Sequence, residues 1–431
     1  MNIGIIGCGY VFDHYMSTIG QYSQLNIAGV ADIDTERAAH VGAFYGLKVY
    51  PDNAAMFADP TVDIVVNLTS IESHFEVTYS ALAAGKHVFS EKPFATSLED
   101  ARELIAFAEK NNLWLSSAPS NALSPSARTM WKAVSDGVIG ETRLVYAEFD
   151  DSPVYLMSPE NWRSRSGAPW PYIHEFEMGC TWEHVGYHLG WMCAMFGPVR
   201  AVTAFSKRIV PDKTELPLSP ADTPDFSIAC LDFENGVVGR ITCSISAPLD
   251  HRMRIVGNAG MVHTDTYRDY SSPVYLERFS KLSLNARKAR LARNLPVLRW
   301  LFGIDGRRVP LVEKKTQSSG MGWGPRAMLQ RFKRAQLGQQ DKCVGIADLA
   351  DAISVGRKPF FSHDFILHLL ELTLLIQAAG PDGGSNKLTT TFKPRSMPEA
   401  ASVSTQDYND FAKPKFLDRL SESLLDRLHR H

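Results

Sequence analysis

The sequence predicts an α/β unit followed by an α+β unit: a doubly wound parallel sheet in roughly the first 120 residues, then a mostly antiparallel sheet. Three observations carry this. Short apolar runs alternate with helical patterns as far as residue 117. The first of those runs ends in a glycine turn that opens a helix. Beyond residue 120 strand-like runs replace this alternation, two of them flanking Glu234-Asn235-Gly236, a hairpin signal. A chain of 431 residues is long enough for two domains, and 45% hydrophobic content is enough for sizeable cores.

In the first unit, Ile3, Ile5 and Ile6 read as a buried strand. Gly7 permits a tight turn and Gly9 lets backbone approach phosphate oxygens. A helix over residues 14–21 then offers its N–H groups and dipole to a pyrophosphate. The third position of this fingerprint is Phe12, where a small residue is usual. A second strand over residues 25–31 ends at Asp32. A carboxylate about twenty residues beyond the glycines is placed to accept both hydroxyls of an adenosine ribose and to repel a 2′-phosphate, which favours NAD over NADP. Asp32 or Asp34 caps the helix over residues 35–45, and Asp34 suits that role better. Residues 63–68 form a third strand ending in Thr69-Ser70, residues 73–84 a helix stopped by Gly85, and residues 86–90 a strand before Glu91-Lys92-Pro93. Thr96-Ser97-Leu98-Glu99 has capping-box spacing, and the following helix puts Leu98, Ala101, Leu104, Ile105 and Ala108 on one face. Residues 113–117 are the last strand of the unit.

In the second unit, residues 126–136 read as a helix ending at Gly137, and residues 142–149, 199–205, 226–233, 237–246 and 252–256 read as strands. The proline-rich stretch 211–224 is a loop. Residues 281–315 hold ten Lys/Arg against Asp305 and Glu313, a local charge of about +8. Within them Asn294 to Phe302 is apolar and flanked by arginines, which suits an anionic surface, either membrane lipid or a phosphorylated sugar, or else a solvated excursion or subunit contact. Residues 346–379 return to helical pattern, notably 364–379. Phe416, Leu417, Leu420, Leu424 and Leu428 fit an amphipathic helix. The net charge of -2 gives no global case for nucleic acid. None of the six cysteines forms a CxxC pair, so no metal is expected. No apolar run reaches membrane-spanning length and no signal-type stretch opens the chain, so the expected setting is the reducing cytoplasm.

Ligands of an open parallel sheet bind beyond the carboxyl ends of its strands. Lys86 begins its strand and lies at the far end. Lys92 follows that strand and lies at the ligand end, where its ammonium can steady a developing alkoxide or, with a pKa lowered by burial, exchange a proton. Thr69, Ser70 and His74 follow the third strand and lie near the nicotinamide end by the same rule. In Glu183-His184-Val185-Gly186-Tyr187-His188, the two histidines are one helical turn apart and suited to proton transfer near neutral pH. The loop from Asn161 to His174 brings together Trp162, Arg163, Trp170 and Tyr172, a set fitting a sugar ring or phosphate, and equally an interface.

With these residues assembled, the chain resembles the Gfo/Idh/MocA family of oxidoreductases. Ala84-Gly-Lys-His-Val-Phe-Ser-Glu91-Lys92-Pro93 is very like that family's GKHVxxEKP signature. His74 stands where the family places a histidine, and Gly137 to Gly140, Gly197-Pro198 and Asp351 to Arg357 also fit. The resemblance covers roughly residues 1–260 and 345–395. It implies a Rossmann domain over residues 1–122 and an open-faced sheet domain over residues 123–395, carrying the basic insertion 274–330. A tail of residues 396–431 follows. It implies NAD(P)-dependent oxidation or reduction of a sugar, sugar derivative or cyclitol, with Lys92 as the active-site lysine. The family's D-x-G-x-H is read here as His184 to His188, which makes His188 the acid/base group and gives His184 a share in that role or its place. The family's Asn-Tyr-Arg stretch becomes Ser117 to Asn121. The cofactor-binding set is then Gly7, Gly9, Tyr10, Val11, Asp32, Thr69, Ser70, His74, Glu91, Lys92 and Asn121; the substrate set is Trp162, Arg163, Tyr172 and Glu183. A homo-oligomer formed through the open sheets is expected, and polysaccharide precursor metabolism is a natural setting if the basic segment meets an anionic surface. The competing readings are NAD-dependent glycosidic cleavage without net redox change, and a non-catalytic NAD-binding regulator.

Overall fold

The strands of the first unit are short because each is apolar for only a few residues before a turn or cap intervenes. In a computed structural model, which describes residues 1–284, 290–312 and 340–397 together with Tyr408, Lys413, Arg419 and Ser423, they are β1 (Asn2–Ile6), β2 (Asn26–Ala31), β3 (Ile64–Asn67), β4 (His87–Ser90) and β5 (Leu115–Ser117). All pair in parallel, in the order β2-β1-β3-β4-β5. The order reverses at β1, so the crevice for a ligand opens beyond the carboxyl ends of β1 and β3. Helices Phe12–Thr18, Thr35–Tyr45, His74–Ala83 and Leu98–Lys110 intervene.

Local rules account for most of the boundaries. Asp34 caps its helix by accepting the Arg37 N–H at 3.0 Å. The cap before Leu98–Lys110 is Ser97, which accepts the Asp100 N–H at 3.0 Å, one residue beyond the expected Thr96. Either hydroxyl suits an N-cap, and burial of Ala101, Leu104, Ile105 and Ala108 selects the register. The first helix begins at Phe12, two residues earlier than its pattern suggests, and runs into a 3₁₀ turn at Ile19–Gln21. Phe12 is fully buried, and its ring meets Tyr45 edge-on at 5.8 Å, filling space above the sheet that a small residue would leave.

The second unit is a nine-stranded sheet: β6 (Thr142–Asp150), β7 (Val199–Lys207), β8 (Phe226–Phe233), β9 (Val238–Ser244), β10 (Met253–Gly257), β11 (Gly260–Thr264), β12 (Val274–Arg278), β13 (Arg307–Val309) and β14 (Gly384–Lys387). Its order is β13-β12-β11-β10-β6-β9-β8-β7-β14. Every pairing is antiparallel except β6 with β9. Helices Pro125–Ser135, Gly186–Phe196 and His363–Gln377 cover one face of this sheet, and alternate residues such as Phe205, Phe226, Ile228 and Cys230 point the other way.

The helix Val344–Val355 follows the second sheet's main strands in sequence but packs on the first sheet. Cys343, Ile346, Leu349 and Ala350 share a core with Ile3, Ile5, Phe12 and Val66. This return carries residues 341–343 to the carboxyl ends of the first sheet's strands. Among the described residues, no helix is long and apolar enough to cross a membrane. The apolar residues of the expected amphipathic helix, Phe416, Leu417, Leu420, Leu424 and Leu428, and parts of the basic segment, residues 285–289 and 313–315, lie outside the described residues.

Candidate active site

The glycine turn is built as its residue types require. Gly7 has φ +98°, and a Cβ there would stand 2.5 Å from the Leu68 carbonyl oxygen, so only glycine fits between β1 and β3. A Cβ at Gly9 would meet nothing within 4 Å, leaving open space beside the backbone where a phosphate can lie. Tyr10 and Val11 border that space, with the Tyr10 ring 5.7 Å from His14. Asp32 accepts the N–H groups of Cys8 at 2.6 Å and Asp34 at 2.9 Å, and a carboxylate retains further acceptor positions for ribose hydroxyls. These residues fit a dinucleotide.

Beyond β3, the Thr69 hydroxyl bonds Asn67 at 2.7 Å and Ser70 is exposed at the crevice. His74 is buried. Its ring nitrogens lie 2.6 Å from the Pro93 carbonyl and 3.1 Å from that of Thr69, so it ties the loop after β3 to the loop after β4 and does not itself face the crevice.

The polar centre lies beyond β4. Lys92 Nζ is ion-paired with Glu183. Burial opposes the ammonium charge, but Glu183, with Tyr187, Glu175 and Glu91 nearby, raises its pKa above the ordinary value. The carboxylates around Lys92 thus favour its charged form over the lowered pKa that proton exchange would require. Glu91 accepts the Tyr15 hydroxyl at 2.8 Å and lies 3.4 Å from Lys342 Nζ. Burial disfavours its charge, but Lys342 and Lys92 hold the carboxyl down at about 2. Lys342 also donates to the Tyr187 hydroxyl at 2.9 Å. Glu175, from the helix Tyr172–Met178, faces the Lys92–Glu183 pair, and burial together with the Glu183 charge pushes its carboxyl up to about 8.

Glu183 and Tyr187 are thus the pair one turn apart that faces the lysines, not His184 and His188. His188 is fully buried, with Nε2 2.7 Å from the Glu148 carbonyl and Nδ1 accepting the Trp191 indole N–H at 2.9 Å. Burial lowers its pKa to about 3, and neither nitrogen is left for a substrate proton, which corrects the acid/base role expected of it. His184 stacks on Phe149 at 4.4 Å, and burial keeps it neutral with a pKa of about 3. Its Nδ1 has no partner among the described residues, near Asp151, which Arg268 binds at 2.6 Å.

Other expected residues serve elsewhere. Asn121 is buried and donates to the Tyr187 carbonyl at 2.6 Å, so its amide nitrogen positions that helix. Arg163 bonds carbonyls of its own loop, Glu160 at 2.8 Å and Trp162 at 2.9 Å, Trp162 packs on Trp170 at 4.7 Å, and Tyr172 packs on Phe176. None of these three reaches Lys92. The tip of that loop instead joins the two domains. Ser166 donates its N–H and hydroxyl to Asp13 at 2.7 and 2.8 Å, and Arg37 bonds the carbonyls of Ser166 at 2.8 Å and Cys8 at 2.7 Å. The second domain is thereby clasped onto the glycine turn of the first.

Residues 1–118 match the family model described as the oxidoreductase family, NAD-binding Rossmann fold, and residues 127–263 match the GFO/IDH/MocA C-terminal domain. The chain belongs to the Gfo/Idh/MocA family of oxidoreductases. As a member, it is a dehydrogenase-type enzyme acting on hydroxyl groups, with NAD as cofactor. It is 25% identical over 275 residues to the myo-inositol 2-dehydrogenase of Thermotoga maritima, covering 62% of this chain and 76% of that protein. It is 24% identical over 263 residues to the bovine (Bos taurus) trans-1,2-dihydrobenzene-1,2-diol dehydrogenase, covering 60% and 72%. The structure of the UDP-N-acetylglucosamine 3-dehydrogenase GnnA from Acidithiobacillus ferrooxidans shares the fold, with a TM-score of 0.60 at 21% identity over 89% of this chain and 98% of that one.

Proposed function

We propose that this Gfo/Idh/MocA enzyme moves a hydride between NAD and a secondary alcohol of a sugar, sugar derivative or cyclitol, with Lys92 and Tyr187 handling the hydroxyl group. The observation that carries this reading is the Lys92–Glu183 ion pair at the carboxyl end of β4, with Tyr187 one turn farther along the same helical face. Bound NAD supplies the hydride acceptor or donor. Gly7, Gly9 and Asp32 hold its pyrophosphate and ribose, with Thr69 and Ser70 toward the nicotinamide. Lys92, kept charged by Glu183, donates a hydrogen bond to the substrate oxygen and offsets negative charge as it develops. In oxidation, Tyr187 in its phenolate form takes the hydroxyl proton as the hydride leaves the carbinol carbon for the nicotinamide and the carbonyl forms. In reduction, the Tyr187 hydroxyl returns that proton. Glu175, whose carboxyl burial and the Glu183 charge push upward, faces the same pair and is placed to bond a further substrate hydroxyl.

The test is NADH formation by the full chain across free sugars, inositols, sugar acids and nucleotide-sugars. Net NADH with one class, lost in Lys92→Ala, supports the reading. Retained turnover in Lys92→Ala, or sugar release without net NADH, contradicts it.

The setting follows as part of the same proposal. Six free thiols, five of them buried, suit the cytoplasm. The outward face of β7 and β8 suits a homo-oligomer, which light scattering tests by finding a mass above 47.9 kDa. Exposed Val297 and Trp300 beside Arg293 and Arg299 suit an anionic surface and a role in polysaccharide precursor metabolism. Sedimentation with acidic liposomes and not neutral ones supports membrane contact; equal recovery with both argues against it.

A further inference from the structure

Lys342 has no place in any sequence motif, yet its ammonium is buried in the polar centre. It lies 251 residues beyond Glu91 in the chain and reaches it because the chain returns to the first sheet with the helix Val344–Val355. Among the described residues its Nζ meets the Tyr187 hydroxyl at 2.9 Å and Glu91 Oε1 at 3.4 Å. The same ammonium lies 5.2 Å from the centre of the Tyr187 ring. A buried lysine loses its hydration at large cost unless it is paired and its remaining protons are hydrogen-bonded, and the Glu91 carboxylate is one such partner. The shorter contact, however, is to the phenol.

We propose that Lys342 is a positioning residue for proton transfer: its ammonium fixes the Tyr187 oxygen toward the site and favours the negative charge that oxygen carries once its proton has left. This rests on the reading of Tyr187 as the proton carrier. The groups facing Tyr187 from neighbouring elements support it. Lys92 follows β4 and Arg268 lies between β11 and β12, so three cations act on the phenol oxygen. Glu91 touches it only through Lys342, and Tyr15, Tyr267 and Tyr270 are neutral neighbours. Glu91 restrains Lys342, so the two residues act on Tyr187 with opposite signs.

The experiment reads Tyr187 without needing a substrate. Full-length protein with NAD is labelled with 13Cζ-tyrosine, and the resonance missing from Tyr187→Phe is followed against pH. Lys342→Met is expected to move the midpoint of that titration up by at least about one pH unit. Lys342→Arg, which keeps the charge, moves it by less than about half a unit, and Glu91→Gln moves it down. An unchanged midpoint in Lys342→Met, or a shift of the same sign in Lys342→Met and Glu91→Gln, overturns the proposal. Once a substrate is in hand, Lys342→Met lowers kcat for oxidation about tenfold near neutral pH, recovers toward alkaline pH, and leaves KM within about twofold, the tenfold matching one unit of midpoint shift. A Tyr187→Phe enzyme with wild-type turnover defeats the reading of Tyr187 itself, whereas an unchanged midpoint defeats only the role of Lys342.

Discussion

Glu183 and Tyr187 stand one helical turn apart and reach two different lysines, Lys92 and Lys342. That spacing puts an ammonium and a phenol at one end of the first sheet, beside the glycine turn. On the proposed reading Lys92 carries charge and Tyr187 carries a proton, and the distinction sets what each substitution does.

On the proposed reading, Lys92→Ala removes a donor to the reacting oxygen but no group that holds the dinucleotide's phosphates or ribose. Loss of one such donor typically costs about 100- to 1000-fold in kcat. Turnover is expected to fall by that order, while NADH affinity, followed by its fluorescence, stays within about threefold. Equal losses in both would assign Lys92 to cofactor binding alone.

The Ser166 clasp holds the second domain against the glycine turn proposed to receive the pyrophosphate. Asp13→Ala removes the acceptor for the Ser166 N–H and hydroxyl and for the Tyr45 hydroxyl. Two buried hydrogen bonds contribute roughly 1–3 kcal/mol, so NAD dissociation measured by stopped flow is expected to accelerate about tenfold. An unchanged release rate would mean that the clasp does not gate the cofactor.

Acid stability should decline in two stages. His184 and His188 are held neutral down to about pH 3, whereas an unfolded histidine titrates at about 6.5. The unfolded chain therefore binds more protons between those values, and the stability these residues contribute is fully present above about 6.5 and lost as pH falls toward 3. Glu91, held down at about 2, adds a second loss below about 4.3, the ordinary glutamate value. Thermal melts from about pH 7 to 3 are expected to show falling Tm, with a shallower slope between about pH 6.5 and 4.5 in His188→Gln. A parallel slope in that variant would contradict the assignment.

Much of this was legible from local rules. Gly7 needs a conformation that only glycine adopts without strain, Asp34 sits where an N-cap must, and Lys92 follows a strand whose direction fixes its end of the sheet. Spacing could not choose between the two i,i+4 pairs in residues 183–188, because Glu183 with Tyr187 and His184 with His188 are equally one turn apart. Packing decides: the Phe149 ring covers His184, while Trp191 and the Glu148 carbonyl enclose His188, turning the neighbouring face toward the lysines. Lys342 and Ser166 had no local signal at all, since each acts through contacts far away in the chain. The aromatic and arginine content of the loop around Trp162 suggested a ligand, but those side chains mostly satisfy one another and the loop's own carbonyls.

The most direct measurement is NADH formation by Tyr187→Phe and His188→Gln side by side, on whichever polyol the wild-type enzyme oxidises. The predicted result is a loss of at least about 100-fold for Tyr187→Phe, the lower range for a positioned proton-transfer group. His188→Gln, once its lower Tm is allowed for, stays within about threefold of wild type. An active Tyr187→Phe beside an inactive but folded His188→Gln would contradict the account and return the proton to the histidine.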